Sequence, residues 1–190
     1  MTLKKGHFEI CKFLVNYVKS EDKNPENKYG TTPFHYAVLS KDKTNNYHGN
    51  FEICQLFFEN IGHKNPACHN GVTPFHLAAA FGNFKICEMI INKVNDKNPT
   101  SRFGKTPLHV AAHVGEYKIC KLIMENIEVK NPRSRNGTTP LYYAAKRGHL
   151  DIFKLIMDQT EDKNPSRNDG NTPFHVAAKN GHLGTIHILH

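Results

Sequence analysis

The feature that most constrains this chain is its period. The stretch Gly104-Lys105-Thr106-Pro107-Leu108-His109-Val110-Ala111-Ala112 returns in altered form as Thr32-Pro33-Phe34-His35-Tyr36-Ala37, Thr73-Pro74-Phe75-His76-Leu77-Ala78, Thr139-Pro140-Leu141-Tyr142-Tyr143-Ala144 and Thr172-Pro173-Phe174-His175-Val176-Ala177. The last four copies begin at Thr73, Thr106, Thr139 and Thr172, each 33 residues after the previous one. A second motif, Lys23-Asn24-Pro25, Lys64-Asn65-Pro66, Lys97-Asn98-Pro99, Lys130-Asn131-Pro132 and Lys163-Asn164-Pro165, keeps the same beat. Two motifs in phase at such a period imply stacked units that bury their apolar stripes against one another. A hydrophobic content of 38%, thin for a compact core, suffices for that arrangement.

Within a unit the residues dictate local structure. The motif Thr is suited to an N-cap, where its hydroxyl takes an orphan backbone N–H. Pro then occupies the first helical position, where a missing donor costs nothing. Ala-rich continuations such as Ala78-Ala79-Ala80 let neighbouring helices approach closely. Gly82, Gly115 and Gly148 break the chain, and a second helix follows with Ile86, Cys87, Ile90 and Val94, or Ile119, Cys120, Ile123 and Ile127, on one face. The Asn-Pro pair stops it, because the residue before Pro is pushed out of the α region. The short variable stretch before the next motif Gly, such as Arg133-Ser134-Arg135-Asn136, reads as a hairpin-like finger.

This combination of Thr-Pro-Leu-His-x-Ala-Ala, Gly-His before the second helix, a loop Asn and a 33-residue period resembles the ankyrin repeat family over nearly the whole chain. The resemblance implies an all-α, ankyrin-repeat solenoid of helix-turn-helix units with β-hairpin-like fingers. The expected organisation is a single ankyrin repeat domain over 1–190. It comprises a partial first repeat (1–24), a repeat with an eight-residue insertion around 41–48 (25–65), three regular repeats (66–98, 99–131 and 132–164) and a truncated last one (165–190). The resemblance also implies that His35, His76, His109 and His175 hydrogen-bond to the motif Thr and to the next repeat's backbone, with Tyr142 substituting in the fifth unit. His7, His149 and His182 are expected to be structural as well.

Two departures from the family pattern stand out. Val18, Ile61, Val94, Ile127 and Thr160 occupy the usual Gly position after the second helix, so that helix either runs further or ends without a left-handed cap. Asn27, Cys68, Ser101, Ser134 and Arg167 replace the finger Asp, which alters the finger's internal hydrogen bonding.

Chemistry-bearing residues follow the repeat rather than converge. Cys11, Cys54, Cys87 and Cys120 share one position, held elsewhere by Phe153 and Ile186, and read as small buried hydrophobes. Cys68 lies in a finger and reads as a solvated thiol. No phosphate-cradling loop, His-Glu-x-x-His or nucleophile elbow is present, so no catalytic residue, metal ligand, cofactor or small-molecule substrate is assigned. No apolar run is long enough for a membrane span and the basic N-terminus lacks a signal-peptide core, so an intracellular, cytoplasmic location is expected.

Charge is placed unevenly. In stacks of this family, partners dock on the concave face made by the fingers and first helices. There Lys28, Arg102, Lys105, Arg133, Arg135, Lys146, Arg147, Arg167 and Lys179 stand against Glu26 and Asp169, accounting for seven of the formal charge of +8. Tyr29, Phe81 and Phe103, with Tyr47 in the insertion, interleave with them, and His113 lies on the same face. Arg and Tyr are favoured interface anchors, so this face is expected to bind an acidic segment of another protein. The Lys23, Lys64, Lys97, Lys130 and Lys163 ladder reads as solvated turn residues. The alternatives are electrostatic binding of nucleic acid or anionic membrane, or a structural segment of a longer array such as the cytoplasmic region of a channel or receptor.

Overall fold

The computed structural model describes residues 10–13, 15–16, 24–39 and 51–188. The insertion, His7, Val18 and Lys23 lie outside them. The chain divides into two compact units, 1–95 and 96–190, and the described residues are helical with no strand.

In the first unit α1 (Pro33–Leu39) pairs with α2 (Phe51–Asn60), and α3 (Pro74–Ala80) with α4 (Phe84–Ile91). Helix α1 packs on α3 and α2 on α4, and the side chains between them are fully buried: Phe34, Phe75, Cys87, Ile90 and Ile91. In the second unit α5 (Pro107–Val114) pairs with α6 (Tyr117–Glu125), α7 (Pro140–Arg147) with α8 (Leu150–Met157), and α9 (Pro173–Lys179) with α10 (Leu183–His187). First helices pack on first helices across Ala111, Ala112, Ala144 and Ala145, all buried; second helices pack through Ile119, Ile123, Ile152 and Phe153.

The Thr-Pro-x-His motif closes as the residue types require. Pro107 is the first helical residue, the His109 N–H donates to Thr106 Oγ1 at 3.5 Å, and the Thr106 N–H donates back to His109 Nδ1 at 3.1 Å. With Nδ1 accepting, the proton sits on Nε2, which donates to Thr138 O at 3.0 Å in the next finger. His35 repeats the link in the first unit, its Nε2 donating to Val72 O at 3.1 Å. The loop Asn adds a cap that sequence reading assigned only to helix termination. Asn24, Asn65, Asn131 and Asn164 each accept, through Oδ1, the N–H of the residue after Pro at 3.0–3.1 Å. Asn98 departs from the pattern: its Oδ1 is buried without a partner.

Burial lowers the pKa of His35, against the opposing pull of Val72 O and Glu26. A base with a depressed folded pKa is protonated first in the unfolded chain, so its contribution is complete above the unfolded value of about 6.5 and is lost as pH falls through the folded value. Thermal stability is therefore expected to drop between about pH 7.5 and about pH 5.5, and His35→Gln to reduce the drop. Melting curves of the two proteins at both pH values check this; equal slopes would remove His35 as a contributor.

Second helices end at Asn60, Ile91, Glu125 and Met157, short of the departing positions Ile61, Val94, Ile127 and Thr160. Ladder lysines take the last carbonyls of three of them, contrary to the ladder's reading as solvated turn residues. Lys64 Nζ donates to Phe58 O at 2.5 Å, Lys130 Nζ to Met124 O and, at 2.6 Å, to Ile127 O, and Lys163 Nζ to Met157 O. A cation there also opposes the negative end of the helix dipole.

The fingers keep their internal bonding with other donors. Asn27 Oδ1 accepts the N–H groups of Tyr29 and Thr31, and Ser134 Oγ donates to Thr138 O at 2.9 Å. Neighbouring fingers are joined by backbone hydrogen bonds: the His69 N–H donates to Tyr29 O at 3.0 Å, that of Arg135 to Phe103 O at 3.0 Å, and that of Asn168 to Asn136 O at 3.1 Å. Gly104 permits the approach: its φ is +72° and a Cβ there would lie 2.8 Å from the Arg135 nitrogen. Cys54, Cys87 and Cys120 are buried, and burial pushes the thiols of Cys54 and Cys120 up to about 12, so they serve as packing groups. Cys68 is half-buried rather than solvated, its N–H donating to Val72 O.

Candidate functional site

In the second unit the basic residues come from two kinds of element. Arg102, Arg133, Arg135 and Arg167 are on fingers, and Lys105 directly follows a finger glycine. Lys146, Arg147 and Lys179 end the first helices α7 and α9, where cations oppose the helix dipole. The chain's arginines do not all remain available. Arg167 Nη1 lies 3.1 Å from Asp169 Oδ2 and donates to Tyr142 Oη at 3.3 Å, with its guanidinium carbon 5.1 Å from that ring's centroid. Arg133 Nη2 donates to Ser166 O at 2.5 Å in the following finger. These two guanidiniums tie fingers to their neighbours.

The Tyr142–Arg167 pair explains the missing histidine of the fifth unit. Where His109 reaches the next finger through an imidazole N–H, Tyr142 is met from the next finger by a guanidinium. The helix start is kept, since the Tyr142 N–H donates to Thr139 Oγ1 at 3.2 Å.

Arg102, Arg135, Lys146, Arg147 and Lys179 are exposed, and Phe103 at one fingertip is 66% exposed. Between α5 and α7 a tighter cluster forms. Arg147 Nη2 donates to His113 Nε2 at 2.9 Å. The His113 and Tyr143 rings meet edge-on, centroids 4.9 Å apart at 87°, and Lys105 Nζ lies 5.4 Å from the Tyr143 centroid. His149, as expected, is structural: its Nε2 donates to His113 O at 3.3 Å; likewise His182 Nε2 donates to Lys146 O at 3.1 Å. Desolvation first, then the charges of Arg147, Lys105, Lys146 and His149, lowers the pKa of His113, which favours the neutral ring that accepts from Arg147.

The first unit carries a separate group. Lys28 Nζ sits 5.0 Å from the Tyr29 ring centroid, and Tyr29 is 61% exposed. Asn27 Nδ2 donates to Tyr36 Oη at 3.2 Å, and that ring is 57% exposed. Phe81 closes α3 as its C-cap and is partly exposed.

Sequence reasoning missed Tyr36 and Tyr143. Both occupy the x of His-x-Ala or Tyr-x-Ala, a place held by Leu77, Val110 and Val176 elsewhere. The available signal was chemical: two tyrosines at a position otherwise filled by aliphatic side chains.

Short paired helices, each pair led by a finger and presenting charge and aromatic rings on the finger side, define a helical-repeat protein of the surface-contact class. A family model for ankyrin repeats in three copies matches residues 43–133 and 119–190, and one for ankyrin repeats in many copies matches residues 3–58. The chain belongs to the ankyrin repeat family. A search of curated proteins returns no match. Ankyrin repeats are generally modules for contact with other proteins. Among the described residues no helix is long and apolar enough to cross a membrane.

Proposed function

We propose that this chain is a non-catalytic recognition module whose second unit docks an acidic segment of another protein on its finger and first-helix side. The observation that carries the reading is the exposed set Arg102, Arg135, Lys146, Arg147 and Lys179, with Phe103 among them and Asp169 held against Arg167. Charge on such a face raises the association rate and selects against wrong partners more than it adds affinity. The aromatic edge supplies the apolar anchor that charge alone lacks. Arg167, which a phosphate-tracking stripe would recruit, is held by Asp169 and Tyr142, and the exposed cations are interleaved with Phe103, so the pattern suits a short acidic segment better than a nucleic acid backbone.

The test is capture from lysate on the intact chain and on an Arg102→Glu/Arg135→Glu variant, at low and moderate salt. A protein retained by the intact chain at moderate salt and lost from the variant is the expected result. Recovery of nucleic acid or lipid alone, vanishing with salt, would replace this reading with the electrostatic one.

A further inference from the structure

The cluster between α5 and α7 places a guanidinium, an imidazole, a phenol ring and an ammonium together. Arg147 is turned onto an imidazole nitrogen rather than a carboxylate. Because His113 Nε2 accepts that bond, its proton resides on Nδ1, which is buried and has no hydrogen-bond partner. The Tyr143 ring forms a floor, with the imidazole at its edge and the Lys105 ammonium over it. An imidazole serves Arg147 poorly, since it meets one of five guanidinium donors, whereas the planar fork matches both oxygens of a carboxylate.

We propose that Lys105, His113, Tyr143 and Arg147 form a seat for one carboxylate side chain of an acidic peptide segment, held between the guanidinium and the ammonium above the tyrosine ring. This deepens the acidic-partner reading above and rests on it. His113 Nε2 accepts from Arg147, and Lys105 Nζ lies 5.4 Å from the Tyr143 centroid, so both cations converge on the His113–Tyr143 pair.

Occupation changes the balance around His113. The groups facing it are Lys105 just after the finger, Tyr143, Lys146 and Arg147 from α7, and His149 just beyond α7, with His109 on its own helix edge-on to Tyr143. Burial, then the charges of Arg147, Lys105, Lys146 and His149, favours the neutral imidazole, and an added carboxylate offsets those charges. Binding therefore takes up a proton, and affinity rises as pH falls while the ligand's own carboxylates, with pKa about 4.3, stay ionised.

The experiment uses the whole chain and a dye-labelled peptide of alternating Glu and Ala, with its Gln-Ala counterpart as the neutral probe, followed by fluorescence anisotropy at about pH 6 and about pH 8. The Glu peptide is expected to bind more tightly at the lower pH and the Gln peptide to bind far more weakly. Arg147→Gln should weaken Glu-peptide binding roughly tenfold, the scale of one lost charge-assisted pair. His113→Gln, whose amide does not titrate in this range, should remove the rise in affinity at the lower pH. Lys118→Gln, on the exposed side of α6, changes net charge equally and should leave affinity unchanged; melting curves confirm that all variants are folded.

The seat is overturned if Arg147→Gln binds no more weakly than Lys118→Gln, or if His113→Gln keeps the full pH dependence. Weakening by Arg102→Glu/Arg135→Glu with Arg147→Gln neutral would overturn the seat and leave the acidic-partner reading standing. Equal binding of the Gln and Glu peptides would overturn both.

Discussion

His109→Phe is expected to destabilise the second unit by about 3 kcal/mol, whereas Tyr142→Phe, at the equivalent position one repeat later, is expected to cost about 1 kcal/mol. Phe fills the buried volume of His109 but leaves the Thr106 N–H, whose bond to Nδ1 it removes, buried without an acceptor. It also removes the Nε2 bond to Thr138 O, although that carbonyl keeps the Ser134 N–H. Leaving a buried donor unpaired carries the full desolvation penalty, and that asymmetry makes the loss larger than one ordinary hydrogen bond. Tyr142→Phe strands nothing comparable: the Thr139 cap persists and Arg167 keeps Asp169 and the ring face. Denaturant midpoints of the two variants, measured with unchanged slope, give the comparison. Equal costs would mean that the repeat histidine contributes only volume.

Phe153→Ala should be costlier still, about 4 kcal/mol. Its ring is fully buried on α8, at a position where earlier units carry Cys87 and Cys120, and it has no polar atom whose loss could confuse the measurement. Removing a buried Phe forfeits transfer free energy and leaves a cavity that short, stiffly paired helices cannot collapse to fill. In a repeat array a unit is stabilised largely by its neighbours, so the loss reaches α6 and α10, which pack on α8. Leu183→Ala, at an exposed side chain on α10, is the paired control and should shift the midpoint little. A small effect at Phe153 would show that the interface between second helices tolerates voids.

The fold was legible because it depends on residues that recur. Thr106, Pro107 and His109 announce a helix start through their own chemistry, and four more copies of the motif repeat the message, three of them at a fixed spacing of 33 residues. The lysine ladder was equally visible, yet its role was not. A lysine after a helix can face water or fold back on the last carbonyls, and only the path of the turn decides between them.

The candidate site was legible by charge and not by contact. Arg133, Arg135 and Arg167 are alike in the sequence, each a cation on a finger. The structure separates them: Arg133 and Arg167 donate to the adjoining finger or helix, Arg167 half-buried there, while Arg133 and Arg135 are exposed. The cluster around Tyr143 escaped because its members are separated by up to 42 positions, from Lys105 to Arg147, and meet only when one repeat lies on the next. Sequence periodicity reports what repeats share, and this cluster is made of what two of them do differently.

The backbone hydrogen bonds between fingers carry a further consequence. In each, the later finger supplies the proton and the earlier one the carbonyl, so the Arg135 and Asn168 amides are sealed by a neighbour rather than by their own loop. Deuterium can replace either proton only when two adjacent repeats part at that junction. Each amide is thus a timer for one opening event, readable site by site, and the exchange clocks of the two would rank the junctions of the second unit by how often they breathe.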